Sequence, residues 1–242
     1  CCPFKKRIMM MDNRQQTTDN AQQDMNAVPM VYGRWSVVSI LSHFFSVVFH
    51  PLFIPFYVVA FLLNYHPSYF SGLSFFTKFE LLRSTIFNTI LFPAFSLLVM
   101  KGLGFIKSFM LHTREDRIGP YLANMIFYFW MARVLFNYKP ELSPILASFM
   151  TGVFITTAIA LVANVFYKIS MHAIGCGGML GVFIIIMNSN SMWMAWPLSL
   201  ALLITGIVCT SRLIVSDHTQ KEIYMGLLVG LLCQFGAAVV IL

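Results

Sequence analysis

The residues able to do chemistry in this chain gather in three short polar segments. The last reads Ser211-Arg212, five residues, His218, three residues, Glu222. On a helix that starts near His218, an imidazole and a carboxylate four residues apart share one face. The carboxylate can hold one ring nitrogen and leave the other free to attack an electrophile. Arg212 offers a planar fork suited to phosphate oxygens. The middle segment, Lys168-Ile169-Ser170-Met171-His172, leads into Gly175, Gly177 and Gly178. Free amide groups and the dipole make a helix start attractive to anions. Ser170 there can donate to a phosphate oxygen, and His172 can give a proton to a leaving group. The first segment holds Lys107, then Arg114, Glu115, Asp116 and Arg117, with Pro120 close behind. Its cations can act as an anion clamp. Plainer readings stay open: a solvated loop with an incidental ion pair, a structural histidine, and a lysine that only anchors a span. The glycines read best as permitting close helix packing.

Such segments need elements to position them, and composition decides which. Hydrophobic residues make up 58% of the 242 residues and charged residues 10%, with 24 Phe. A soluble domain carries roughly 25% charged residues. Mean hydropathy is +0.76. These values exclude an ordinary soluble enzyme, a disordered chain and a nucleic-acid module. Long continuous apolar runs argue against a membrane barrel, whose strands alternate. The expected fold is all-α, a polytopic bundle of membrane helices. The net charge of +7 fits basic residues flanking spans beside anionic lipid. Cys176, Cys209 and Cys233 lie in apolar stretches without metal-ligand or disulfide spacing and read as free thiols.

Residues 1–33 are polar and without apolar period, and are expected to form a disordered head. Residues 1–8 precede the first methionine, Met9, and carry no weight in the fold. No cleavable signal-peptide pattern is visible. A single transmembrane domain is expected over 34–242. Its apolar segments are 35–63, 82–100, 118–136, 145–167, 172–188, 193–210 and 223–242, which makes six or seven crossings. The first is long for one span and contains Pro51 and Pro55, so a tilt, a kink or an interfacial start is expected. Two crossings separate each polar segment from the next. An even number returns the chain to the same side, so all three segments emerge on one membrane face. Which face that is depends on whether there are six crossings or seven and on which side the polar head lies.

Together the segments resemble the type 2 phosphatidic acid phosphatase superfamily, which includes the vanadium haloperoxidases. That family carries K-x6-R-P, then P-S-G-H, then S-R-x5-H-x3-D. Here the third part is Ser211-Arg212-x5-His218-x3-Glu222, with glutamate in place of aspartate. The second is Ser170-x-His172, with Ile169 for proline and Met171 for glycine. The first is Lys107-x6-Arg114, followed by Glu115 instead of proline. Arg117 and Pro120 offer a second alignment.

The resemblance implies a phosphatase of a membrane lipid phosphate that works without metal or cofactor. It makes His218 the nucleophile, Glu222 its orienting carboxylate and His172 the proton donor to the leaving group. Arg114, Arg212, Ser170, Lys107 and Arg117 become the phosphate-binding set. The implied partners are a lipid phosphate substrate and the bilayer, with neither nucleic acid nor a protein partner, and the implied location is a bacterial inner membrane. Other readings are a phosphotransferase on the same scaffold and an inactive lipid-phosphate binding protein. A transporter is a further reading, prompted by His43 and His50 beside Pro51. A kinked anchor helix with interfacial or packed histidines explains those two residues better, and no paired discontinuous helices support transport.

Overall fold

A computed structural model describes residues 37–66, 69–106, 114–138, 142–189, 194–215 and 218–242. The expected polar head, Lys107 and Asp217 lie outside the described residues. The chain divides into two units, Cys1–Ile40 and Leu41–Leu242, and only the turn 37–40 of the first is described. Among the described residues there are eight helices and no strand. They are α1 Val37–Val48, α2 Ile54–Asn64, α3 Phe75–Gly102, α4 Arg114–Phe136, α5 Pro144–Phe166, α6 Met171–Ser189, α7 Ala195–Val215 and α8 Gln220–Ile241.

Five of these, α3 and α5 to α8, are long and apolar enough to cross a membrane. Large apolar side chains such as Phe95, Val162, Leu203 and Val239 face outward, where a soluble fold would hide them. The chain is an integral membrane protein built as a helical bundle. The expected first segment is changed in one respect. The run 35–63 is two short helices instead of one long span, because Pro51 and Pro55 interrupt the backbone ladder. Helix α4, at 23 residues, is also long enough to cross, and its charged first turn accounts for its lower hydropathy.

Local chemistry accounts for the ends and irregularities. Ser74 caps α3, its hydroxyl accepting from the Thr77 N–H at 3.2 Å. A π-helical turn, Phe87–Leu91, precedes Pro93 within α3. Proline has no N–H to give and crowds the carbonyl four residues back, so the ladder widens there. Helix α8 opens with a capping box between Thr219 and Glu222. The core includes Val59, Leu62, Met131, Leu146, Met150 and Ile186, all completely buried. Cys176 and Cys233 are buried free thiols, and Cys209 is half-buried.

The tightest packing joins α6 to α8. Gly177 and Gly181 of α6 and Gly226 and Gly230 of α8 each lie against the other helix, Gly177 on Leu227, Gly181 on Leu231 and Gln234, Gly226 on Ser170 and Ala173, and Gly230 on Ile174 and Gly177. A Cβ on Gly177 meets the Leu227 carbonyl, and one on Gly230 meets the backbone of Ile174. The two backbones therefore touch directly, as the packing reading of the glycines expects.

Candidate active site

Three of the long helices begin or end at one polar level. Helix α6 starts one residue after Ser170, α7 ends three residues after Arg212, and α8 starts two residues after His218. The Ser170 N–H donates to the Glu222 carbonyl at 3.4 Å, which ties the start of α6 to the first turn of α8. A cavity of about 700 Å³ opens here. Arg117, Lys168, His172, Arg212 and His218 all line it. Residues from all three polar segments of the sequence thus meet in one place, in keeping with the expectation that the segments emerge on one membrane face.

His218 and Glu222 form the closest polar pair. Nδ1 of His218 lies 2.7 Å from Oε2 of Glu222, four residues on along the helix start. A carboxylate accepts, so Nδ1 carries the proton and Nε2 keeps its lone pair. The same Oε2 also accepts from the Thr219 N–H at 3.3 Å. Burial holds His218 below the ordinary imidazole value. The Glu222 hydrogen bond and charge pull upward against it, while Arg212 and Lys168 push further down.

His172 is held the other way round. Its Nε2 lies 3.0 Å from the Ser46 carbonyl in the last turn of α1. A carbonyl only accepts, so Nε2 carries the proton and Nδ1 is bare. The two histidines therefore hold opposite tautomers. Arg212 is close enough to His50, His172 and His218 to act on all three electrostatically.

The remaining expected residues fall in different places. Arg117 lines the cavity from α4. Arg114 opens α4, one turn before Arg117. Ser170 is fully buried and does not line the cavity, and its Oγ has no hydrogen-bond partner among the described residues. Its carbonyl instead faces Gly226, where an added Cβ would stand 2.9 Å away. Among the described residues no three His, Cys, Asp or Glu side chains converge to hold a metal ion.

No family model, curated protein or solved structure matches this chain.

Several cavity residues escape the three-segment reading. His43, Ser46 and His50 come from α1 and its end, Asn124 and Tyr128 from α4, and Gln234 from α8. The signal for His50 is present in the sequence: an ionisable group beside Pro51 in an apolar run, where such groups are costly. Gln234 is likewise an amide amid apolar residues. It is buried, and its Nε2 donates to the Phe149 carbonyl at 3.3 Å. The cavity runs from this cationic, histidine-rich mouth toward Met179, about 10 Å along α6 from His172. It suits a ligand with an anionic end and a less polar body.

Proposed function

We propose that this chain is an integral membrane phosphatase that removes phosphate from a phosphomonoester or pyrophosphate of a membrane lipid through a phosphohistidine. One observation carries the reading: the His218–Glu222 pair opens onto a cavity whose lining also includes His172, Arg212 and Lys168. The resemblance to type 2 phosphatidic acid phosphatases supplies the roles. The bacterial inner membrane is the location that goes with this reading.

In the first step Nε2 of His218 attacks phosphorus. A P–N bond forms, the P–O bond to the lipid breaks, and His172, which takes a second proton on Nδ1 when the anionic phosphate binds, gives that proton to the leaving oxygen and returns to the Nε2–H form held by the Ser46 carbonyl. Glu222 stabilises the charge that develops on the His218 ring. Arg212, Lys168 and Arg117 neutralise the phosphoryl oxygens, which is where most of the catalytic stabilisation of such a transfer lies. In the second step a water gives its proton back to His172 and attacks phosphorus. The P–N bond breaks and inorganic phosphate leaves. Ser170 has no direct part in this scheme, since its hydroxyl does not reach the cavity lining.

The test is phosphate release by purified protein in detergent with EDTA, across phosphatidate, phosphatidylglycerol phosphate and prenyl pyrophosphates. Release that survives EDTA and is abolished in His218→Ala supports the mechanism. Release unchanged in His218→Ala overturns it, as does no release from any of the three lipid classes.

A further inference from the structure

The joint between α1 and α2 brings a third imidazole to the same cavity. His50 sits where α1 has ended and Pro51 prevents its continuation. Its backbone is pinned on both sides: its N–H donates to the Val47 carbonyl at 3.2 Å, and its carbonyl accepts from the Phe53 N–H at 2.8 Å. The ring is fixed as well. The Leu52 N–H donates to Nδ1 at 3.4 Å, so the ring proton sits on Nε2. The ring stands edge-on to His172, with centroids 5.3 Å apart and planes at 85°. It packs against Phe53 at 6.3 Å on another side.

The surroundings identify what the Nε2–H would meet. Among the described residues the cavity lining holds three cationic and four histidine side chains and no carboxylate. Glu222 reaches the site only through His218. An anion is the ligand that such a lining satisfies. The last turn of α1 also supplies the Ser46 carbonyl that sets the His172 tautomer. The same short stretch thus orients one imidazole and presents another.

We propose that His50 is a substrate-binding residue whose Nε2–H donates to a phosphoryl oxygen of the anion held by Arg212 and Lys168. The assignment rests on the phosphatase reading and adds to it a residue outside the three motifs. It implies that the α1–α2 pair is part of the phosphate site as well as an anchor.

The test compares His50→Gln, His50→Asn and His50→Phe in the full chain in detergent. Glutamine places an N–H donor near the position of Nε2, while asparagine reaches only as far as Nδ1. Binding of inorganic phosphate is read by phosphorus NMR, kcat and KM with the best lipid phosphate, and folding by thermal melting. His50→Gln is expected to keep phosphate binding within about threefold, and His50→Asn and His50→Phe to weaken it by about tenfold or more. The loss should fall mainly on KM. Phosphate binding and KM unchanged in His50→Asn overturn the proposal while leaving the phosphatase reading intact. Loss in His50→Gln as deep as in His50→Phe also overturns it, because shape and not the donor would then matter. Wild-type protein that binds no phosphate overturns both readings. If His50→Phe fails to melt cooperatively, the Gln and Asn pair decides, since both are polar and smaller than the ring they replace.

Discussion

Replacing Glu222 by glutamine separates two jobs that one carboxylate oxygen performs. Oε2 accepts from Nδ1 of His218 at 2.7 Å and from the Thr219 N–H at 3.3 Å. A glutamine carbonyl can stand in the same place and accept from both donors, and glutamine is a regular member of the capping box. Helix α8 should keep its start, with stability changed by less than about 0.5 kcal/mol. What disappears is the charge. A hydrogen bond to a charged group contributes about 1.5–3 kcal/mol, against about 0.5–1.5 kcal/mol between neutral partners. The side chain of His218 is 9% exposed and that of Glu222 is 22% exposed, so water screens little of the difference. A loss of about 1.4 kcal/mol at the step that charges the His218 ring is about tenfold in rate.

The pH dependence carries a second, independent sign. Burial lowers the His218 pKa, and Glu222 partly offsets that. Glu222→Gln removes the offset, so the pKa falls further. The attacking form is the neutral ring, and activity is lost as pH drops through the pKa. In wild type the acid limb of kcat/KM should therefore lie below the ordinary imidazole value of 6.5. In Glu222→Gln it should move to still lower pH while the plateau falls about tenfold. The assay is initial rates of phosphate release from one lipid phosphate in detergent across the pH range, with thermal melting alongside. An unchanged plateau refutes the reasoning, as does an acid limb that moves upward. A lowered melting temperature with an unchanged plateau would leave Glu222 as a helix cap alone.

Two further expectations follow from the packing and the clamp. Gly230→Ala places a methyl group against the Ile174 carbonyl and 2.8 Å from the Gly178 nitrogen, which forces α8 off α6. It should cost about 1–3 kcal/mol in detergent melting. Gly236→Ala has nothing within 4 Å of its added Cβ and should cost nothing. Equal melting of the two variants would show that the stripe is not the α6–α8 contact. Arg212→Lys keeps the charge but loses the planar fork. It should lower kcat/KM by about tenfold or more with melting unchanged, and a wild-type rate would remove the guanidinium from the clamp.

The helices α5 to α8 were legible because each is a continuous apolar run of the right length that follows polar residues. Counting crossings between the polar segments then brought Arg117, Lys168, His172, Arg212 and His218 together without any contact being known. The pairing of His218 with Glu222 was legible for a similar reason, since four residues along a helix is a local relation. Helix α3 was less so. Its expected range began at 82 and the helix begins at Phe75, because Lys78, Glu80 and Arg83 interrupt the apolar signal while Ser74 still caps the start. The partner of His172 was not legible at all. It is a backbone carbonyl 126 residues away, and a carbonyl leaves no trace in residue type. Ser170 was legible by type alone: the sequence shows its hydroxyl but not that its carbonyl would lie against Gly226 of α8.

The glycine stripes and the histidines belong to one argument. His172 stands in the first turn of α6, and His218 sits just before the first turn of α8. The relative level of the two rings is set by how those helices meet. Side chains between the helices would leave slack, because long rotamers can repack and let one helix slide on the other. Backbone against backbone leaves little, and the contacts Gly177–Leu227 and Gly230–Ile174 fix the register within about the first three turns of α8. The bond from the Ser170 N–H to the Glu222 carbonyl fixes it again at the level of the rings. Glu222 then serves three relations at once: its carbonyl ties α8 to α6, its carboxylate closes the helix cap, and the same oxygen sets the tautomer of His218. A displacement of about 1 Å between α6 and α8 is therefore felt at both imidazoles together, and misplacement on that scale can cost a transfer reaction about a hundredfold. Gly230→Ala lies far along α8 from the cavity mouth, yet it should lower phosphate release as well as stability.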